Sequence, residues 1–220
     1  MALLSVTVME AQKNQTYLTL NNGVVIPQFG LGVYSIPAGE ATYNSVLTAL
    51  KAGYRHIDTA HAYQNERSVG QAIKDSGIPR DSIWVTSKLW PNEYGEEVTP
   101  KQLDKMLERL GLDYIDLLLL HHTVAYDEEA YQAMERGVKA GKIHSIGLSN
   151  FYEDDVDRMM RIATIKPAVL QNETHPYHQS HSVKAHIAKL GTILEAWFPL
   201  GGRGTGIKTL SQHEVITDIA

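Results

Sequence analysis

The stretch GYRHIDTAHAYQNE, residues 53–66, carries Asp58 at the end of a short strand-like run and Tyr63 on the segment that follows. Lys88 in IWVTSKLW (83–90) and His121 in IDLLLLHH (115–122) close two further runs of the same kind. Together these four side chains can make an acid. A tyrosine hydroxyl, with an ordinary pKa of about 10, is a poor proton donor at neutral pH, but an ammonium within about 4–6 Å stabilises the phenolate and lowers that value. Lys88 can supply that charge, and a carboxylate such as Asp58 keeps the lysine protonated in a partly dry site by pairing with it. His121 then donates the hydrogen bond that turns a substrate carbonyl oxygen toward Tyr63. Proton delivery to a carbonyl also needs a hydride source on the opposite face.

Each residue alone has an ordinary structural reading. Asp58 could cap the next segment, Lys88 could reach out to solvent along its apolar stem, and His121 could be a satisfied core histidine. What separates the readings is the set of elements that must position them. From residue 17 the text YLTLNNGVVIPQF has two short β-type runs around Asn21, Asn22 and Gly23, the turn chemistry of a hairpin. Strand-like runs follow at 29–34, 55–60, 83–90, 115–122, 144–151, 168–173 and 192–198. Between them lie helical segments such as ATYNSVLTALKAGY, PKQLDKMLERLGL, EEAYQAMERGVKAGK, EDDVDRMMRIAT and SVKAHIAKLG, several ended by a glycine where a helix stops.

Nearly continuous apolar strands imply a parallel sheet covered by helices, and repeated βα units with no break in composition predict an α/β chain forming a (β/α)8 TIM barrel, opened by a β-hairpin. A doubly wound sheet is the alternative. Residues 1–220 are expected to form one such barrel domain, incomplete at its C-terminal end. A barrel of this kind takes about 250 residues, SQHEVITDIA reads as the start of a seventh helix, and the last βα unit is expected to be missing. In a barrel the active site sits at the C-terminal ends of the strands. Asp58, Lys88, His121, Ser149, Asn150, Gln171, Glu173 and Trp197 all fall there, with Tyr63 on the adjoining loop. That coincidence at one rim favours a site over scattered structural roles.

Composition narrows the partners. The chain has 220 residues, 43% apolar and 20% charged, with a formal net charge of −5 and no basic run, so neither nucleic acid nor an anionic membrane is expected as a partner. It has no cysteine, which removes disulfides, thiolate metal sites and a cysteine nucleophile. The opening residues lack the charged and apolar regions of a secretory leader, and the apolar run at 117–120 is too short to span a bilayer, so a cytoplasmic location is expected.

The same residues resemble the aldo-keto reductases, and are similar to that family's bacterial diketogluconate-reductase-like members. The motifs that carry the resemblance are GLG (30–32), IDTAHAYQNE (57–66), TSKLW (86–90), DLLLLH (116–121), IGLSNF (146–151), LQNETHP (170–176) and EAWFPLG (195–201). The resemblance runs from the hairpin near residue 17 to the last residue. The resemblance implies a barrel enzyme that uses NADPH, with NADH possible, to reduce a small aldehyde or ketone, as a monomer or weak homo-oligomer. It places the catalytic tetrad on Asp58, Tyr63, Lys88 and His121, and the nicotinamide carboxamide contacts on Ser149, Asn150 and Gln171. Trp197 stands where the family usually stacks a tyrosine on the nicotinamide. Gly32 joins the cofactor contacts, and Leu200 and Gly201 match the loop whose backbone approaches the pyrophosphate, where the lack of a glycine side chain suits a close approach. Tyr34, Trp90 and His122 are implied to wall the substrate pocket. Many members follow the catalytic histidine with Trp-Pro or Gln-Pro; here His122 and Thr123 stand instead, so substrate preference does not carry over.

Three rivals remain. A metal-dependent barrel hydrolase could use His56 and Asp58 on one strand face with His121 and His175, while HPYHQSH (175–181) adds more histidines, but it leaves Tyr63 and Lys88 unexplained. A resident metal is not expected. GGRGTGIKT has Ile207 where a phosphate-loop lysine belongs, so its glycines read as a mobile loop. A chain without its last unit could also bind the cofactor without turning over.

Overall fold

A computed structural model describes residues 15–201, together with Asp218. Nearly all of the expected seventh-helix start and of GGRGTGIKT lie outside the described residues. Strands β1 (Tyr17–Thr19) and β2 (Val25–Pro27) form the antiparallel hairpin, with Leu18 opposite Ile26. Its turn is closed by the Gly23 N–H donating to the Leu20 carbonyl at 2.9 Å. The hairpin lies across the N-terminal end of the barrel. Asn21 Nδ2 donates to the Pro167 carbonyl at 2.9 Å and Asn22 Nδ2 to Ser145 Oγ at 3.0 Å.

Seven parallel strands then form one sheet in chain order: β3 (Leu31–Gly32), β4 (His56–Asp58), β5 (Trp84–Leu89), β6 (Ile115–Leu120), β7 (Ile143–Ser149), β8 (Val169–Glu173) and β9 (Ile193–Trp197). Among the described residues β3 and β9 each pair on one side only. The barrel is thus seen over seven of the strands expected of it. Helices α1 (Glu40–Lys51), α2 (Glu66–Asp75), α3 (Val98–Leu110), α4 (Asp127–Lys139), α5 (Glu153–Met160) and α6 (His181–Ala188) alternate with the strands. The first turns of α4 and α5 hold Asp127, Glu128 and Glu129, and Glu153, Asp154 and Asp155, acidic residues favoured by the positive end of a helix dipole.

Two expectations shift. The strand expected over 29–34 is limited to Leu31–Gly32, because the chain turns away at Ser35, whose φ is 60°. Helix α2 is absent from the helical segments read from sequence. Its buried residues are Glu66, Val69, Gly70, Ala72 and Ile73.

Side chains alternate across a strand, and that alternation decides which residues enter the barrel. Ile57, Val85, Leu118, Leu120, Ile146, Leu148 and Leu170 face outward into one buried cluster with the helices. Trp84, Leu117, Leu119 and Val169 face inward, where Leu20 and Ile26 of the hairpin seal the floor. Each fully buried aliphatic side chain contributes about 1.5–3 kcal/mol. Gly147 is inward too, where a Cβ would stand 2.3 Å from the Val169 carbonyl oxygen, so only glycine lets β7 and β8 approach as they do. The inward parity continues upward. It turns Asp58, Lys88, Ser149, Gln171 and Trp197 into the barrel mouth.

Candidate active site

Lys88 is the fixed point of the mouth, 1% exposed on β5. Its Nζ donates to Asp58 Oδ1 at 2.6 Å, to the Thr59 carbonyl at 3.0 Å and to the Tyr63 hydroxyl oxygen at 3.4 Å. Three acceptors match the three hydrogens of an ammonium, which is how a charge is tolerated at this depth. The pairing with Asp58 and Tyr63 outweighs the burial that opposes it, and Lys88 holds its proton more tightly than an ordinary lysine.

Tyr63 ends a short 3-10 turn, His61–Tyr63, that follows β4 and is closed by Gln64 in the left-handed conformation. Buried Asn65 secures this turn. Its Oδ1 accepts from Thr59 Oγ1 at 2.8 Å, and its Nδ2 donates to the Val33 carbonyl at 3.0 Å. Burial raises the Tyr63 pKa above its ordinary value; the Lys88 charge lowers it, but by less. The expected tuning by lysine is present, opposed by a larger effect that sequence spacing does not reveal.

His121 follows β6, its N–H donating to the Leu89 carbonyl at 3.1 Å. Its ring meets Tyr63 edge-on at 5.9 Å and Trp90 edge-on at 5.0 Å, and stacks on His122 at 4.9 Å. Burial, then the Lys88 charge, then His122 push its pKa down to about 3, so the imidazole is neutral. His121 Nδ1 is buried and has no hydrogen-bond partner among the described residues. A neutral ring of this kind can donate or accept one hydrogen bond toward a ligand. His122 is held by its backbone, which donates to the Tyr94 hydroxyl oxygen at 3.2 Å and accepts from it at 3.0 Å.

The opposite wall carries the remaining candidates. Ser149 ends β7, and Asn150 follows it at φ 60°. Asn150 Nδ2 donates to the His121 carbonyl at 2.9 Å, while its Oδ1 accepts from Trp197 Nε1 at 3.1 Å. Asn150 therefore already links the histidine wall to the indole. Its backbone N–H is received by Asn172 Oδ1 at 2.9 Å, and Asn172 Nδ2 donates to the Phe151 carbonyl at 2.7 Å. Gln171 Nε2 donates across the barrel to Asp58 Oδ2 at 2.8 Å and to Glu195 Oε1 at 2.7 Å.

One cavity of about 1210 Å³ joins these groups, lined by Gly32, Tyr34, Asp58, Tyr63, Trp90, His121, His122, Ser149, Asn150, Gln171, Trp197, Leu200 and Gly201 among others. Leu200 is 75% exposed, and Gly201 closes a turn by donating to the Phe198 carbonyl at 2.8 Å. Tyr34 lies 5.2 Å from the Tyr63 ring and 5.9 Å from Phe198. The catalytic, cofactor and pocket residues expected from sequence thus line one cavity or, for Lys88, lie one bond behind it, while Glu173 is not among the lining residues. Glu195 and Phe198 also line it and were not singled out, nor were Asn65 and Asn172, which hold its rim from behind through backbone hydrogen bonds. Glu195 had a signal: it shares the inward parity of Trp197 in TILEAWF. The metal reading finds no cluster, since no three His, Cys, Asp or Glu side chains converge as metal ligands among the described residues. His56 Nε2 is instead 2.9 Å from Thr86 Oγ1.

Comparison with known proteins follows the same residues. Residues 29–213 match the sequence profile of the aldo/keto reductase family. Glyoxal reductase of Bacillus subtilis is 42% identical over 202 residues, covering 91% of this chain and 71% of its own. The crystal structure of an aldo-keto reductase from a deep-sea metagenome library is 42% identical, with a TM-score of 0.87 over 93% of this chain and 74% of the other. An aldo-keto reductase of Bombyx mori in complex with NADP is 33% identical, with a TM-score of 0.86 over 94% of this chain and 75% of the other. The chain belongs to the aldo/keto reductase family of NAD(P)H-dependent oxidoreductases.

Proposed function

We propose that this chain reduces an aldehyde or ketone with NADPH, using Tyr63 as the proton donor. The observation that carries the reading is the single buried ammonium of Lys88, bound at once to Asp58 and to the Tyr63 hydroxyl. The cavity suits a dinucleotide: it is larger than the roughly 300–1,000 Å³ of common ligand pockets, and it joins an indole platform at Trp197 to the acid at Tyr63. Polar Ser149, Asn150 and Gln171 lie on the wall between. When bound, the nicotinamide supplies the hydride that reduces the carbonyl carbon.

Neutral His121 would donate to the carbonyl oxygen and aim it at Tyr63, and the aromatic wall of Tyr34, Trp90 and His122 would exclude water around it. As negative charge grows on that oxygen, the Tyr63 O–H gives up its proton. Lys88 stabilises the phenolate left behind, and Asp58 keeps Lys88 charged throughout. The NADP complex of the Bombyx mori protein supports the phosphorylated dinucleotide over NADH. The name of the Bacillus subtilis relative supports a small aldehyde as first substrate to try.

The test is to follow oxidation of NADPH and of NADH by the purified chain with glyoxal and a series of aldehydes and ketones. Turnover that prefers NADPH and disappears in Tyr63→Phe is the expected result. Cofactor oxidation that survives unchanged in that variant would overturn the assignment of Tyr63.

A further inference from the structure

Gln171 and Asp58 come from β8 and β4, on facing walls of the barrel, and Glu195 comes from the strand beside Gln171, to which it is paired in register. The Gln171 amide nitrogen is shared between two carboxyl groups, Asp58 Oδ2 at 2.8 Å and Glu195 Oε1 at 2.7 Å. An amide has two N–H bonds and one oxygen, and here both N–H bonds have acceptors. The assignment of nitrogen and oxygen follows from chemistry. Turning the amide over would press its oxygen against the Asp58 carboxylate, which is paired with Lys88, and no donor would stand between them. Gln171 Oε1 is then the only amide atom left for the cavity.

We propose that Glu195 is a positioning residue: with Asp58 it takes up both N–H bonds of Gln171, so that Gln171 offers a bound nicotinamide an acceptor and no donor. The inference rests on the reading of this cavity as a nicotinamide site. It follows that Gln171 selects the N–H of a carboxamide group. Without Glu195, one N–H of Gln171 is freed and can turn to the cavity, where it would serve a bare carbonyl equally well.

The surroundings of Glu195 agree with this role. His56 and Asp58 face it from β4, Lys88 from β5 and Gln171 from β8. Its Oε2 is buried and has no hydrogen-bond partner among the described residues. Burial holds its carboxyl above the usual carboxylate range; His56, Gln171 and Lys88 pull it back, while Asp58 adds to the rise. Charged or neutral, the carboxyl can accept through Oε1.

The experiment compares equilibrium binding of NADP and of its 3-acetylpyridine analogue, in which the carboxamide NH2 is replaced by a methyl group. Wild type should favour the carboxamide on the order of tenfold, the worth of about one hydrogen bond. Glu195→Leu should lose most of that preference, and Glu195→Gln, whose amide oxygen can still accept, should keep it. Equal preference in wild type and a folded Glu195→Leu protein overturns the inference while leaving the nicotinamide site intact. Failure of the wild type to bind either dinucleotide overturns the reading beneath it. If Glu195→Leu does not fold, NMR of the wild-type Gln171 side-chain amide decides: both protons should be protected from exchange, and a freely exchanging one sinks the proposal.

Discussion

Lys88 Nζ stands 3.4 Å from the hydroxyl oxygen of Tyr63, and the phenol nevertheless lies above its ordinary pKa because its burial outweighs the nearby charge. The resting site therefore holds a protonated tyrosine beside a cation. Such an acid parts with its proton only when a negative oxygen forms next to it. Replacing Tyr63 by phenylalanine keeps the ring between Tyr34 and His121 and removes only the proton. Carbonyl reduction should fall by about 10²–10⁴-fold, with the NADPH dissociation constant within a factor of about two of wild type. Steady-state kinetics and cofactor titration check the two halves separately.

Lys88→Met removes the only strong influence that favours the Tyr63 phenolate, so residual activity should be low and should respond to a higher pH than wild type. Stability makes a second, independent check. The folded protein holds the Lys88 proton above the ordinary lysine value of 10.5. This contribution is fully present below that pH and is lost as pH rises through the folded value. Wild type should therefore lose denaturant stability above pH 10.5 more steeply than Lys88→Met. Parallel alkaline unfolding curves would contradict it.

His121 reverses the sign. Its folded pKa of about 3 lies below the ordinary 6.5, so the unfolded chain binds this proton first as pH falls. Stability from the neutral ring is complete above pH 6.5 and is lost as pH drops toward 3, by at most about 1.4 kcal/mol per pH unit. His121→Asn should flatten that part of the acid unfolding curve. In wild type the rate should show no inflection near 6.5 from His121, since its ring does not charge in the folded site.

The hairpin, the βα order and the meeting of Asp58, Tyr63, Lys88 and His121 at one rim were legible because each rests on a local signal: turn chemistry at Asn21–Gly23, apolar strands, and polar residues at strand ends. The alternation along TSKLW and TILEAWF even tells which side chains face inward. What was hidden depends on depth and distance. The rise of the Tyr63 pKa comes from burial under Tyr34 and the barrel wall, and the Asp58–Gln171 contact joins residues 113 positions apart. Asn65 and Asn172 look like ordinary polar residues until their backbone partners are known.

Gly147→Ala tests the packing between β7 and β8. The added methyl would lie 2.3 Å from the Val169 carbonyl oxygen and 2.8 Å from Leu119 Cδ2. The leucine can move, but the carbonyl belongs to a strand held in register on both sides. The variant should be destabilised by about 1–3 kcal/mol or more, read as a lowered midpoint of denaturant unfolding.

Asn172 supports the site without lining its cavity. It is 1% exposed, receives the Asn150 N–H at 2.9 Å and donates to the Phe151 carbonyl at 2.7 Å, bracketing a residue held at φ 60°. That left-handed turn is what lets Asn150 reach both the His121 carbonyl and the Trp197 indole. Asn172→Ala deprives Phe151 O of its donor and leaves the Asn150 N–H with only its weaker 3.1 Å bond to the Gln171 carbonyl. An unpaired buried group costs about 1–3 kcal/mol, and the loss should appear in unfolding. Because the relaxed turn also loosens Trp197, NADPH binding should weaken in the same variant while Asn172→Asp, which keeps the acceptor, retains more of it. Wild-type affinity in a destabilised Asn172→Ala protein would show that the bracket serves folding alone and that Trp197 is held without it.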